Sequence, residues 1–293
     1  MLLYICVQVI HFMEENFTVP ITRPQSFQTP PPPQPQKQEV TYPTEVIELP
    51  SQGHFYPIGH PLSSGKIELK MMTAKEEDIL MSQNLIKKGI VLDKLLENLI
   101  VDKNVKLDDL LLVDKNAILV AARRLAYGDA YGPVEVTCPK CREKSQITFN
   151  LGEIKNEDFD FSNYVKGENT FEFVLPYSKK TVQYRILSHK DESTIENELK
   201  VNNKIIKGST SNEVTTRLRS MIISVDGNSD RNHVKKFVET EMVSRDSLAL
   251  RQYIKKNTPD VDLNFDFTCG ECSHEERLGV PMTVQFFWPD TGR

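Results

Sequence analysis

Four of the five cysteines in this 293-residue sequence fall into two C-x-x-C pairs, Cys138-Pro139-Lys140-Cys141 and Cys269-Gly270-Glu271-Cys272. Two intervening residues let both thiolates of a pair reach one ion at about 2.3 Å in a tight knuckle, and two knuckles complete the tetrahedron that zinc prefers. The flanks also match. Val136-Thr137 leads into the first pair and Phe267-Thr268 into the second, each strand-like, and Pro139, Lys140 and Gly270 suit a turn that directs backbone amides back toward sulfur. The reading is one structural zinc ion held by Cys138, Cys141, Cys269 and Cys272, tying the middle of the chain to its C-terminal part. Four thiolates fill the coordination shell and leave no position for water or substrate, so such a site stabilises and does not catalyse.

The long stretch from Arg142 to Thr268 separates the pairs. It reads as a folded insertion that returns its ends to one place, and loop-closure entropy rises only slowly with length. Disulfides or free thiols are alternative states of the same residues. Thioredoxin-type redox chemistry is a further one, but no βαβ pattern surrounds either pair, and an oxidoreductase does not need two pairs with similar flanks. His274, two residues after Cys272, is expected to be a spectator, and Cys6 pairs with nothing.

No other constellation points to catalysis. The six histidines show no metal-ligand spacing, and the sequence has no phosphate-binding loop, dinucleotide fingerprint or nucleophile elbow. Acidic doublets such as Asp108-Asp109 and Glu157-Asp158 read as solvated surface, so no enzyme is expected. A formal net charge of -5 argues against a broadly basic nucleic-acid-binding face. The competing reading of the knuckles, a zinc-ribbon nucleic-acid-binding module, is opposed by that charge and by the lack of basic residues interleaved with aromatics.

The elements that must position the cysteines are mixed. Glu45–Leu49 and Lys66–Lys70 read as paired strands around a turn-rich loop from Pro50 to Gly65. Thr73 and Glu76 form a capping box for a helix from Ala74 to Lys88 that stops at Gly89. Leu92, Leu95, Leu96, Leu99 and Ile100 recur at helical spacing, and a third helix runs from Lys115, after an Asp114 cap, to Tyr127. Strands at Val134–Thr137 and Gln146–Asn150 flank the first cysteine pair, and Phe171–Leu175 with Val182–Leu187 predicts a second hairpin. Helical patterns dominate from Asp191 to Lys256, with Ser244 and Asp246 opening the clearest helix and Pro259 beyond its end. Alternation over Leu263–Phe267 and apolar residues at Phe286-Phe287-Trp288 predict a last hairpin around the second pair.

The expected fold class is therefore α+β: a helical unit plus β-hairpins joined by the four-cysteine knuckle pair. The units expected are a disordered Pro-rich tail at 1–43, a strand pair with helices at 44–130, and an α+β unit at 131–293. The tail carries Pro30-Pro31-Pro32-Pro33 amid Gln and Thr, a composition that favours polyproline II and cannot build a core. Its apolar run Leu2–Ile10 lacks a basic flank and is about half the roughly 20 residues that span a bilayer, so neither a signal peptide nor a membrane partner is expected. Met13 is an alternative start.

Glu48-Leu49-Pro50-Ser51-Gln52-Gly53-His54-Phe55-Tyr56-Pro57, followed by Ile67-Glu68-Leu69 and Thr73-Ala74-Lys75-Glu76-Glu77-Asp78-Ile79-Leu80, resembles the T4-type bacteriophage baseplate protein family. The resemblance continues through both cysteine pairs to Phe286-Phe287-Trp288-Pro289, over roughly residues 45 to 290. It implies a non-enzymatic baseplate hub subunit or hub assembly protein of a contractile tail, with other hub or tail proteins as partners. The place implied is the host cytoplasm during assembly, with the virion as the alternative for a subunit that stays. Phe55, Tyr56, Phe286, Phe287 and Trp288 are candidate contact aromatics, with core packing the preferred reading for them.

Overall fold

The computed structural model describes residues 43–205, 212–280 and 284–287, with side chains left aside at 203–205 and 284–285. The Pro-rich tail with Cys6, and Trp288-Pro289, lie outside the described residues. The chain forms an α+β fold of antiparallel sheets and helices, as the sequence pattern implies. No helix among the described residues is long and apolar enough to cross a membrane.

Strand β1 (Thr44–Glu48) pairs antiparallel with β2 (Lys66–Lys70), with Val46 opposite Glu68. The Pro50–Gly65 loop between them folds inward. Phe55 and Tyr56 are buried, and Gly53 sits at φ 71° where a Cβ would lie 2.5 Å from Gly65 N, so only glycine fits there. Both aromatics are core residues, and the contact role is excluded for them.

Helix α1 (Ala74–Met81) opens on the expected capping box: Glu76 accepts from Thr73 N at 3.0 Å and from Thr73 Oγ1 at 2.6 Å, and also pairs with Lys70 Nζ at 2.8 Å. The helix expected to reach Lys88 instead breaks at Ser82, and α2 (Gln83–Lys88) runs on to a left-handed Gly89. The reason lies in the apolar spacing. Leu80 and Leu85 stand five positions apart, about 140° around one continuous helix, so the extended Ser82 re-phases the second segment and brings Leu85 and Ile86 to the core. Helix α3 (Val91–Leu99) buries Leu95, Leu96 and Leu99.

Helix α4 (Leu112–Tyr127) starts three residues earlier than expected, with Leu111 at its N-cap. Asp114 is not the cap. It is fully buried in the first turn and accepts hydrogen bonds from Ser51 N (2.9 Å), Ser51 Oγ (2.7 Å) and Tyr56 OH (2.7 Å), which ties the Pro50–Gly65 loop to the helix. Burial raises the Asp114 carboxyl above its usual range despite those three donors.

Hairpin β3 (Ala130–Thr137) and β4 (Lys144–Asn150) follows, with a register shift after Tyr131. Strands β5 (Phe171–Val174) and β6 (Thr181–Tyr184) form the second hairpin, and β6 pairs on its other side with β7 (Ile222–Val225). Strand β7 lies inside the stretch read as helical. It is only four residues long and sits between α5 (His189–Ile205), α6 (Glu213–Met221) and α7 (Arg231–Lys236), whose patterns overwhelm it. A π-helical turn at Phe237–Glu241 leads to α8 (Ser244–Lys256), where buried Asp246 accepts from Tyr177 N (2.8 Å) and Ser178 N (3.0 Å).

The last hairpin pairs β8 (Asn264–Thr268) with β9 (Glu275–Gly279), a mostly charged strand. The apolar Phe286-Phe287 is not its second strand. Both rings lie in a short helical turn and are buried, Phe286 against Tyr131 at 4.9 Å between centroids, and Arg123 Nε holds the Phe286 carbonyl at 2.9 Å. These two rings are likewise core residues and not contact aromatics. The main core thus joins residues of β2, α1, α3 and α4 with Tyr131, Phe149, Phe286 and Phe287, while β5–β7, α6, α7 and α8 enclose a second core around Tyr184, Leu218 and Phe237.

Candidate metal centre

The first knuckle is the tip of the β3–β4 hairpin and the second the tip of β8–β9, so each cysteine pair stands where strand pairing ends. The two tips share one hydrogen-bond pattern. Cys138 N donates to Glu143 O (2.8 Å) and Arg142 N to Cys138 O (2.9 Å), while Cys269 N donates to His274 O (2.9 Å) and Ser273 N to Cys269 O (3.0 Å). In each, the residue directly after the second cysteine takes the left-handed conformation: Arg142 at φ 63° and Ser273 at φ 52°. That turn reverses the chain and aims both sulfurs of a pair to the same side.

The four sulfurs come together. All lie within 4.8 Å of one another, with Cys138 Sγ 3.7 Å from Cys272 Sγ and Cys141 Sγ 3.6 Å from Cys269 Sγ. Sulfurs at the corners of a zinc tetrahedron with bonds of about 2.3 Å stand about 3.8 Å apart, so the spacing fits a four-thiolate ion. All four cysteines are free, and the near pairs are far beyond the roughly 2.05 Å of a disulfide.

Cys138 and Cys269 are buried, Cys272 is half-buried and Cys141 is exposed. Phe267 closes the buried side, with Val136, Ile147, Phe265 and Leu278 packed around it. Phe265 packs against Phe149 of the main core, with ring centroids 4.3 Å apart and the planes tilted by 57°, so the sulfur cluster rests on a packed support.

Electrostatics point the same way. The N–H of Cys141, helped by that of Lys140, faces the Cys138 sulfur and lowers its pKa to about 6 against the opposing effect of burial. Cys141 receives the Glu143 N–H, which lowers its pKa, but the sulfurs of Cys272, Cys138 and Cys269 outweigh it and push it up to about 12. Four thiolates this close repel one another. A divalent cation at their centre removes that repulsion, and the amide donors already aim at sulfur as an ion-binding site requires.

Both pairs named from the sequence therefore meet in one cluster, and His274 does not join it; its ring reaches Glu276 Oε2 at 3.2 Å. The left-handed Arg142 and Ser273 were not foreseen, because neither residue type favours that conformation. The crossed arrangement, first cysteine of one pair nearest the second of the other, also has no signal in sequence spacing.

A family model described as T4 bacteriophage base plate protein matches residues 42–288. The chain belongs to this baseplate family. The match takes in both knuckles, both cores and the loop pinned by Asp114, so the described fold is the family's own region. Membership supports a structural role in a phage baseplate and interaction with other tail or baseplate proteins. No curated protein and no solved structure was found to match the chain.

Proposed function

We propose that this baseplate protein is a non-enzymatic hub subunit or hub assembly factor of a contractile tail, held rigid by one zinc ion on Cys138, Cys141, Cys269 and Cys272. The observation that carries the reading is the convergence of four sulfurs within 4.8 Å from two hairpin tips in a chain matched by the baseplate family model. In this reading a strand pair with helices at 44–130 supplies a platform. The α+β unit at 131–293 is closed on itself by the zinc, packs on the platform through Tyr131, Phe149, Phe286 and Phe287, and carries a second core in its inserted stretch between the knuckles.

A structural zinc adds stability without turnover, which suits a part that must present fixed surfaces during assembly. The chain acts in the host cytoplasm while the hub forms, and as a hub subunit it remains in the tail. The test is to mix the zinc-loaded full chain with purified hub proteins of the same phage and follow complex mass by light scattering on a sizing column. Stoichiometric complexes with hub proteins, and none with sheath or tail-tube proteins, support the role. Failure to bind any hub protein contradicts it.

A further inference from the structure

The second core carries a cleft of about 450 Å³ whose walls are cationic although the chain is acidic overall. Arg185, Arg219, Arg231 and Lys235 line it against only two carboxylates, Asp191 and Glu198. Two of the cations are fixed in place. Arg185 forms a bidentate pair with Asp191 at 2.6 and 2.7 Å, Asp191 is itself anchored by Ser188 N at 2.9 Å, and Arg219 bridges Glu198 and, at 2.9 Å, Glu239.

The other two are not spent on the fold. Arg231 and Lys235 lie one turn apart on α7, are exposed, and have no hydrogen-bond or ion-pair partner among the described residues. Like charges four positions apart repel, and no carboxylate among the described residues pairs with either of them. An anionic group entering from outside would pair with both, while Arg185 and Arg219, engaged by Asp191, Glu198 and Glu239, hold the cleft wall beside them in place.

We propose that this cleft binds an acidic segment of a partner protein, its carboxylates seated on Arg231 and Lys235. A protein segment fits better than nucleic acid. None of the lining residues is aromatic, so no base can stack, and Asp191 and Glu198 would repel a continuous phosphate backbone. Carboxylates spaced along a flexible chain can meet the separate cations and avoid those two acids. The proposal stands apart from the zinc site and the hub role, since no element around the cleft carries a cysteine.

The test titrates the full chain with a fluorescein-labelled peptide of alternating Glu and Gly, and with a single-stranded DNA oligonucleotide of equal charge. Saturable peptide binding is expected, weakening as salt rises from about 50 to about 300 mM. The double variant Arg231→Ala with Lys235→Ala should lose about tenfold in affinity, whereas Lys87→Ala with Lys88→Ala, which removes equal charge on α2, should lose less than about twofold. Arg231→Gln with Lys235→Gln, which removes the charge but keeps a polar side chain of good helix propensity, should repeat the loss with an unchanged unfolding curve. Absence of saturable peptide binding, equal losses in the two alanine pairs, a loss absent from the glutamine pair, or oligonucleotide binding tighter than peptide binding would overturn the proposal.

Discussion

Cys138 Sγ lies 3.7 Å from Cys272 Sγ, although 134 positions separate the two residues. The contact exists because two hairpins with the same tip geometry meet over Phe267, and everything folded between them is held at both ends. A metal ion bound at that junction would favour the native chain over the denatured one, because four-fold ligation first requires a loop of well over a hundred residues to close. The expectations below follow from that arrangement and from the buried polar anchors elsewhere in the fold.

Arg142 and Ser273 occupy left-handed positions that cost a side chain roughly 1–2 kcal/mol relative to glycine. Arg142→Gly and Ser273→Gly should each raise stability by about 1 kcal/mol in the metal-loaded protein, after allowing for the greater freedom glycine gives the unfolded chain. Chemical denaturation checks this. Loss of stability in both variants would mean that the side chains, and not the turn geometry, hold the knuckles.

Asp246 gives a pH dependence. Burial pulls its pKa up, but the N–H groups of Tyr177 and Ser178, at 2.8 and 3.0 Å, outweigh burial and hold it below the usual carboxylate range. A depressed native pKa means stability that is complete above about pH 4, the unfolded value, and is lost as pH falls through the lower native value. Asp246→Asn, which leaves one of the two amides facing an NH₂ group, should cost about 1–3 kcal/mol at pH 7 and should flatten the acid limb of the stability curve. An unchanged acid limb in the variant would refute the anchor.

Asp114 and Ser51 should behave as one unit. Ser51→Ala removes one donor to a buried carboxylate and should destabilise by about 1–3 kcal/mol, and Asp114→Ala should cost at least as much because it strands Ser51 and the Tyr56 hydroxyl together. A double-mutant cycle read by denaturation should give a coupling of at least about 0.5 kcal/mol. Strict additivity would show that the loop is held by its apolar residues alone.

Phe286→Ala should cost about 3–5 kcal/mol, since the ring is fully buried against Tyr131 and Phe287. Thermal unfolding measures it. A cost below 1 kcal/mol would return this ring to the class of surface contact residues.

Much of this was legible in the sequence because it rests on local rules. The Thr73–Glu76 capping box, the β1–β2 pair and the alternation before Cys138 and Cys269 are written in residue types a few positions apart, and the structure has all three. What was not legible depends on distant partners. Asp114 reads as a helix cap until Ser51 and Tyr56 arrive from the neighbouring loop, and the Ala74–Lys88 pattern reads as one helix until the core demands that Leu85 be re-phased. Strand β7 is too short to show against the helices around it, and Phe286-Phe287 looks like a strand because apolar residues alone do not tell a hairpin from a plug. For the cysteines, spacing within each pair pointed to two thiol pairs that could share one ion, and the matching flanks pointed to the likeness of the two tips. Their convergence depends on the tertiary path of everything between.

The most direct test of the account is metal content by mass spectrometry on full-length protein purified without chelator, beside the single variants Cys138→Ser and Cys269→Ser. The account predicts one zinc per chain in the parent, and loss of that zinc together with a cooperative unfolding transition lowered by several kcal/mol in either variant. No zinc in freshly reduced parent protein, or a full equivalent retained in both variants, would contradict it.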